Sequence, residues 1–219
     1  GAGDFAGDPG QVGLRPETAH IPVMIGCSLC EFAFGLPSVD KSALTEEEKT
    51  AALTARYGDR AETVRAAFRA AYPGVNDYYA VAAMPMAFRP DVVDYCAKRA
   101  AMATAPVYQY VMAYESALNG GTMSWHCAEI PFIFHNADFT GAVYNGEQTW
   151  VTQDEMFGAW MSFARSGDPN HDGLCRWEPY TADRHACMIF GAPSACRVDH
   201  DADLIALLDP YKNPMKPMM

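Results

Sequence analysis

At 219 residues the chain is long enough for one large domain or two small ones, and its makeup, half hydrophobic and a fifth charged, is that of a soluble globular protein. A net charge of -11 argues against a nucleic-acid backbone or an anionic membrane as partner. No apolar run approaches the roughly 18 residues of a membrane span, and the opening GAGDFAGDPGQVGL lacks the charged and apolar regions of a signal peptide.

Residues 1–20 read as a coil lead-in. Residues 21–25, apolar on both faces, then predict a short buried parallel strand. Gly26 follows, and two residues later comes Ser28, as the serine of a G-x-S-x-G nucleophile elbow would. The fifth position is Cys30 rather than glycine, however, and Glu31 is next. The turn presents either a serine or a carboxylate. Cys27 and Cys30 also form a C-x-x-C pair. Zinc would need a second ligand pair at metal spacing, which is lacking. A redox pair should open a helix, whereas the residues after Cys30 run apolar to Gly35 and Pro37. Seven cysteines, an odd number at irregular spacing, point to reduced and mostly buried thiols, a pattern that leans cytoplasmic. No metal or organic cofactor is expected.

Further along, TEEEKTAALTARYGD opens a helix at Thr45, with Glu48 completing a capping box and Gly58 near its end. A second helix is expected over residues 62–71, before Pro73 and Gly74, and a third over residues 90–103. The β-branched and aromatic residues of APVYQYVMAYES then mark a second strand. So long a helical connection suits a crossover, hence parallel pairing of the two strands. Thr152 and Glu155 suggest another capping box, opening a helix that Gly167 closes. DPNHDGLCRWEPYT reads as a loop, ACMIFG as a short strand and DADLIALL as a terminal helix.

In a parallel sheet, reactive groups collect beyond the carboxyl ends of the strands. One such end carries Glu31; the other leads through a glycine turn to His126. A carboxylate that fixes a histidine's tautomer makes it a competent base. Each residue also has an ordinary reading, as a solvated glutamate and a surface or core histidine. His135, His171, His185 and His200 stand in polar contexts and need no role, while Phe132 and Phe134 read as core.

IPVMIGCSLCEFAF and GGTMSWHCAEIPFIFHNADF resemble the acid and histidine motifs of the type-B carboxylesterases, relatives of the cholinesterases on the α/β-hydrolase fold. AWMSFARSGDPNHDG and WEPYT are similar to the helix and loop that follow in that family, and the likeness runs over about residues 5–208. The family's acid falls on Glu31, and its His-x-x-Glu-Leu/Ile-Pro-Phe-Val/Ile-Phe motif on His126 through Phe134. The resemblance implies that residues 1–219 are the C-terminal portion of one such domain, an α/β fold with a mostly parallel sheet and flanking helices, incomplete without an N-terminal part. Residues 210–219 form a tail that resembles nothing useful.

In these hydrolases the order along the chain is serine, acid, histidine. The serine would therefore precede this chain, and no G-x-S-x-G occurs in the 219 residues. The resemblance casts Glu31 as acid, His126 as base and Glu129 as a brace for the loop, with Trp125, Cys127 and Phe34 lining the substrate. Trp125, where the family commonly has a small or aliphatic residue, would narrow the pocket. The implied partners are a small-molecule carboxylic ester and the N-terminal portion, and the chain alone is expected to be inactive. The rivals are a non-catalytic binding or adhesion member of the fold, and a thiol or metal protein built on Cys27 and Cys30.

Overall fold

Strand β1, Val23–Ser28, lies parallel to β2, Val107–Met112, in a register running from Val23 opposite Val107 to Ser28 opposite Met112. The computed structural model describes residues 13–31, 39–82 and 88–209. The expected strand over 21–25 is thus displaced towards the C-terminus. Pro22 has no N–H to give a ladder, and pairing with β2 carries the strand on through Gly26 to Ser28. Gly26 is required there: a Cβ would overlap both the ring and the carbonyl of Tyr110 on the neighbouring strand. In the lead-in, Pro16–Thr18 form a 3-10 turn.

Beyond β2 come β5, Ala186–Phe190, parallel to it, and β6, Ala195–Val198, antiparallel to β5, giving the order β1-β2-β5-β6. All of β2 and β5 is buried, as their near-continuous apolar sequences require. A separate two-stranded ribbon, β3 (Glu115–Ser116) with β4 (Thr122–Met123), takes the end of the predicted second strand. Helix α1, Glu46–Tyr57, has the expected capping box: Thr45 Oγ1 accepts from the Glu48 amide and the Glu48 carboxylate from the Thr45 amide. It is followed by α2, Ala61–Ala71, and α3, Arg89–Met102, within the crossover from β1 to β2. Helix α4 spans Glu147–Ser166 and α5 spans Ala202–Leu208. No helix among the described residues is long and apolar enough to cross a membrane.

Alternation along the strands divides the core in two. Val107 and Val111 of β2, with Cys187 and Ile189 of β5, face a cluster made with Leu53, Phe68, Cys96 and Leu204. Tyr108, Tyr110, Met112, Met188 and Phe190 point the other way, against Met156, Trp177 and Phe132. The sheet is therefore covered by helices on both faces.

Two further expectations are corrected. Helix α4 begins five residues ahead of Thr152, after Gly146 in a positive-φ conformation, so Thr152 is no cap. It is fully buried and accepts from Gln148 Nε2, while the Glu155 carboxylate accepts from Ser194 Oγ at 2.6 Å. Trp150 packs against the second cluster, and the Thr149 hydroxyl accepts from the Asn145 amide. Those contacts pull the earlier turn into the helix. Phe132 is core at 0% exposure, but Phe134 is 70% exposed. The single helical turn Ile130–Ile133 sends one ring inward and the next outward.

A buried ionic cluster closes the first face. Arg89, at the start of α3, donates to both oxygens of Asp201 at 2.8 and 3.0 Å, and Tyr72 OH donates to Asp201 Oδ2 at 3.0 Å. His200 lies against Tyr72, and burial depresses its pKa to about 4. Since this folded value is below the unfolded one, the unfolded chain binds the extra proton. The associated stability is present above the unfolded value and is lost as pH falls through about 6.5 towards about 4. Urea melts at pH 7.5 and pH 4 should show His200→Gln losing about 3 kcal/mol less than the parent on acidification; equal losses would remove His200 from the acid response.

Candidate active site

The site is assembled by backbone before any side chain acts. Past β1, Leu29 N donates to Met112 O at 2.9 Å and Cys30 N to Ser124 O at 3.0 Å. Ser124 is itself held by Tyr114, whose carbonyl accepts from both its amide and its hydroxyl, at 2.8 and 2.6 Å. Finally His126 N donates to Glu31 O at 2.8 Å. The turn after β1 and the segment after β4 are thus laced together, which brings positions 31 and 126 face to face.

Side chains continue the lacing. Glu31 Oε1 accepts from the Ser28 amide at 2.8 Å, and Glu31 Oε2 lies 2.8 Å from His126 Nδ1. The carboxylate is nearly buried, its side chain 8% exposed, whereas the imidazole is 56% exposed. One oxygen is fixed by a backbone amide so that the other is aimed at the ring. A carboxylate only accepts, so this contact places the ring proton on Nδ1 and the basic lone pair on Nε2, the opposite edge of the imidazole. A pair so built can take up a proton at Nε2 and stabilise the resulting cation.

Ser28 belongs to the cradle of the acid. Its amide holds Glu31, and its buried hydroxyl donates to Glu129 Oε2 at 3.5 Å. Glu129 caps the turn Ile130–Ile133 with its carbonyl, accepting from the Phe132 and Ile133 amides, both at 3.0 Å. Burial, reinforced by the neighbouring Glu31, raises its carboxyl pKa. Trp125 packs, half-buried, against the second core cluster, and Cys127 is exposed with φ 69. The residue directly after His126 is thus in the left-handed region, uncommon for a side chain other than glycine. Phe34 lies outside the described residues. Phe88 escaped the sequence reading: its ring centroid is 6.3 Å from that of His126. It is far along the chain from either motif, so no local pattern marks it.

The other histidines are elsewhere. His135 is paired with Asp154 at 2.9 Å, His185 with Asp199 at 2.6 Å, and His171 Nε2 lies 3.1 Å from Glu155 O. The C-x-x-C pair is buried, and burial pushes the Cys27 thiol up to about 12 and Cys30 higher still. That is the reverse of an activated thiolate. Among the described residues, no group of three His, Cys, Asp or Glu side chains could hold a metal ion.

Residues 3–203 match the carboxylesterase family. The chain belongs to that family. It superimposes with a TM-score of 0.87 on an esterase of Clostridium hathewayi, described as able to hydrolyze aliphatic aromatic polyesters, at 32% identity over 95% of this chain and 41% of that one. A carboxylesterase of Geobacillus stearothermophilus gives 30% identity and a TM-score of 0.57, over 85% of this chain and 40% of that one. Phenmedipham hydrolase of Pseudarthrobacter oxydans is 33% identical over 96 residues, which is 41% of this chain and 20% of that protein. The chain therefore spans about two fifths of the length of the esterases it superimposes on. Its sheet with flanking helices is a partial α/β-hydrolase fold.

Thiol accessibility checks the burial of the C-x-x-C pair. In the native chain Cys127 and Cys175, both exposed, should react promptly with an aromatic disulfide reagent, while Cys27, Cys30, Cys96 and Cys187 should react only after denaturation. Prompt labelling of Cys27 or Cys30, read by peptide mass, would revive a thiol function.

Proposed function

We propose that this chain supplies the acid and the base of a serine carboxylesterase that hydrolyses carboxylic esters, Glu31 being the acid and His126 the base. The observation that carries the reading is the 2.8 Å contact of Glu31 Oε2 with His126 Nδ1, from a carboxylate anchored by the Ser28 amide. The nucleophilic serine is carried on a part of the protein outside these 219 residues. Two facts support this: the chain holds no G-x-S-x-G, and it spans about two fifths of its esterase relatives.

In this reading His126 Nε2 takes the serine proton as the hydroxyl attacks the ester carbonyl. Glu31 compensates the imidazolium, which then protonates the leaving alcohol. In the second half the same nitrogen activates water against the acyl-enzyme. Trp125 and Cys127 flank the base and so border the ester, and Glu129 braces the turn through Ser28.

The N-terminal portion is the implied protein partner. Among the described residues β1 pairs with β2 alone, and Val23, Met24 and Ile25 are half-exposed. Ile130, Phe134 and Phe139, 44%, 70% and 85% exposed, lie shortly after His126. An open strand edge and exposed aromatics on one chain favour association. The 219-residue chain should bind a hydrophobic dye and self-associate, and co-expression with the N-terminal portion should abolish both; a non-binding monomer at high concentration would contradict this.

The catalytic assignment is tested in the complete protein. Glu31→Gln should lower kcat by roughly 10⁴, because an amide neither selects the tautomer nor compensates the cation. Ser28→Ala should leave most activity, whereas His126→Ala should abolish it. A phosphonate probe should leave this chain unlabelled and mark a serine in the remaining portion. Stoichiometric labelling at Ser28, lost in His126→Ala, would make this chain an esterase by itself.

A further inference from the structure

One cavity lies apart from the acid–imidazole pair, at the same carboxyl rim of the sheet. It measures about 100 Å³ and is bounded by Tyr72, Val75, Ala113, Ile189, Ala195 and Arg197. Ala113 directly follows β2, and its amide donates to Phe190 O at 2.7 Å. The pocket thus sits where β2 and β5 end, one strand over from the turn that carries Glu31.

Its chemistry is divided. The walls are aliphatic or aromatic, and Ala113, Ile189 and Tyr72 belong to the first core cluster. Arg197, on the edge strand β6, is the one charged side chain in the lining among the described residues. The register puts Ala195 opposite Ile189 and Arg197 opposite Cys187, so both project on the face that carries this cluster. Arg65, Arg89 and Arg184 are each held by a carboxylate. Among the described residues Arg197 makes no ion pair and no carboxylate lines the pocket. Nearby Asp201 is occupied by Arg89, and Asp199 by His185. The Tyr72 hydroxyl is taken by Asp201, to which it donates at 3.0 Å. His200, depressed to about 4, adds no positive charge at neutral pH.

We propose that this pocket is a binding site for a short-chain monocarboxylate, the alkyl chain among Val75, Ala113 and Ile189 and the carboxylate on the Arg197 guanidinium. Size sets the chain length. An apolar cavity of about 150 Å³ holds a benzene ring, so one of about 100 Å³ takes a chain of three or four carbons and excludes drug-sized ligands, whose pockets begin near 300 Å³. Charge sets the head group: a guanidinium recognises a carboxylate with two parallel hydrogen bonds. Carboxylic acids of this class are what ester cleavage releases, and they are ionised at neutral pH. Binding itself does not depend on the proposed esterase role.

The test is a titration of the complete protein, its 219-residue portion isotopically labelled, with sodium butyrate, followed by amide chemical shifts, with n-butanol, n-butylammonium and sodium chloride as parallel arms. Butyrate should move the amides of Ile189, Gly191, Ala195 and Arg197 saturably, with a millimolar midpoint, and butanol and butylammonium should bind at least about tenfold more weakly. Arg197→Gln should weaken butyrate by at least about tenfold, and Ala195→Leu, which fills the cavity, should block it, both with melts like the parent's. Glu31→Gln should bind butyrate as the parent does, so failure of the catalytic reading leaves this result standing. No saturable shift, equal binding of butanol, or an unaffected Arg197→Gln would each overturn the proposal.

Discussion

The Glu31–His126 contact spans 95 positions of chain, and everything local to it exists to make that span shorter than 3 Å. A hydrogen bond between two side chains cannot itself close so long a loop, because the entropy of ordering both ends exceeds the net gain of one bond. The closure is carried by the β1–β2 ladder and by the backbone bonds of Leu29, Cys30, Ser124 and His126 that extend it past the strand ends. Leu29, Cys30 and Ser124 are buried, which shields most of these bonds from water. Once they form, only the rotamers of the two side chains remain to be fixed.

That arrangement also explains the asymmetry of the pair. Glu31 is nearly buried and has both oxygens occupied, whereas the imidazole is more than half exposed. A buried acid with a backbone donor has one orientation, and it transmits that orientation outward to a ring at the surface. Glu129 and Ser28 stand behind, joined to each other, and burial, reinforced by Glu31, raises the Glu129 carboxyl pKa. Two carboxylates in one small volume would repel if both were fully charged. That repulsion is one cause of the rise at Glu129, after burial.

Much of this was legible along the chain. Helix α1 carries its start in Thr45 and Glu48, and its box formed as read because a capping box involves only neighbours. The parallel pairing of β1 and β2 was legible from their apolar strands and the long helical crossover. Local patterns failed where tertiary contacts outbid them. Thr152 and Glu155 have capping spacing, but Thr152 is buried in mid-helix and Glu155 answers Ser194 from a distant turn. Phe132 and Phe134 look alike in sequence, and only the packing of one helical turn separates the buried ring from the exposed one. Strand β6 has a mixed sequence with half-exposed residues and no clear alternation to announce it.

By itself the sequence determined which residue types stand at the strand ends, which helices form from local caps, and that Glu31 and His126 fall on family motifs. Those are properties of short stretches, set by backbone propensity, capping and pattern. The tertiary structure decided what those residues face. It turned Glu31 towards His126 through the Ser28 amide, set Phe88 beside the imidazole, buried both thiols of the C-x-x-C pair, and left Arg197 in the lining of a largely apolar cavity. Such facts depend on which distant segments share a face of the sheet, and burial and hydrogen bonding act on neighbours in space without regard to their separation along the chain.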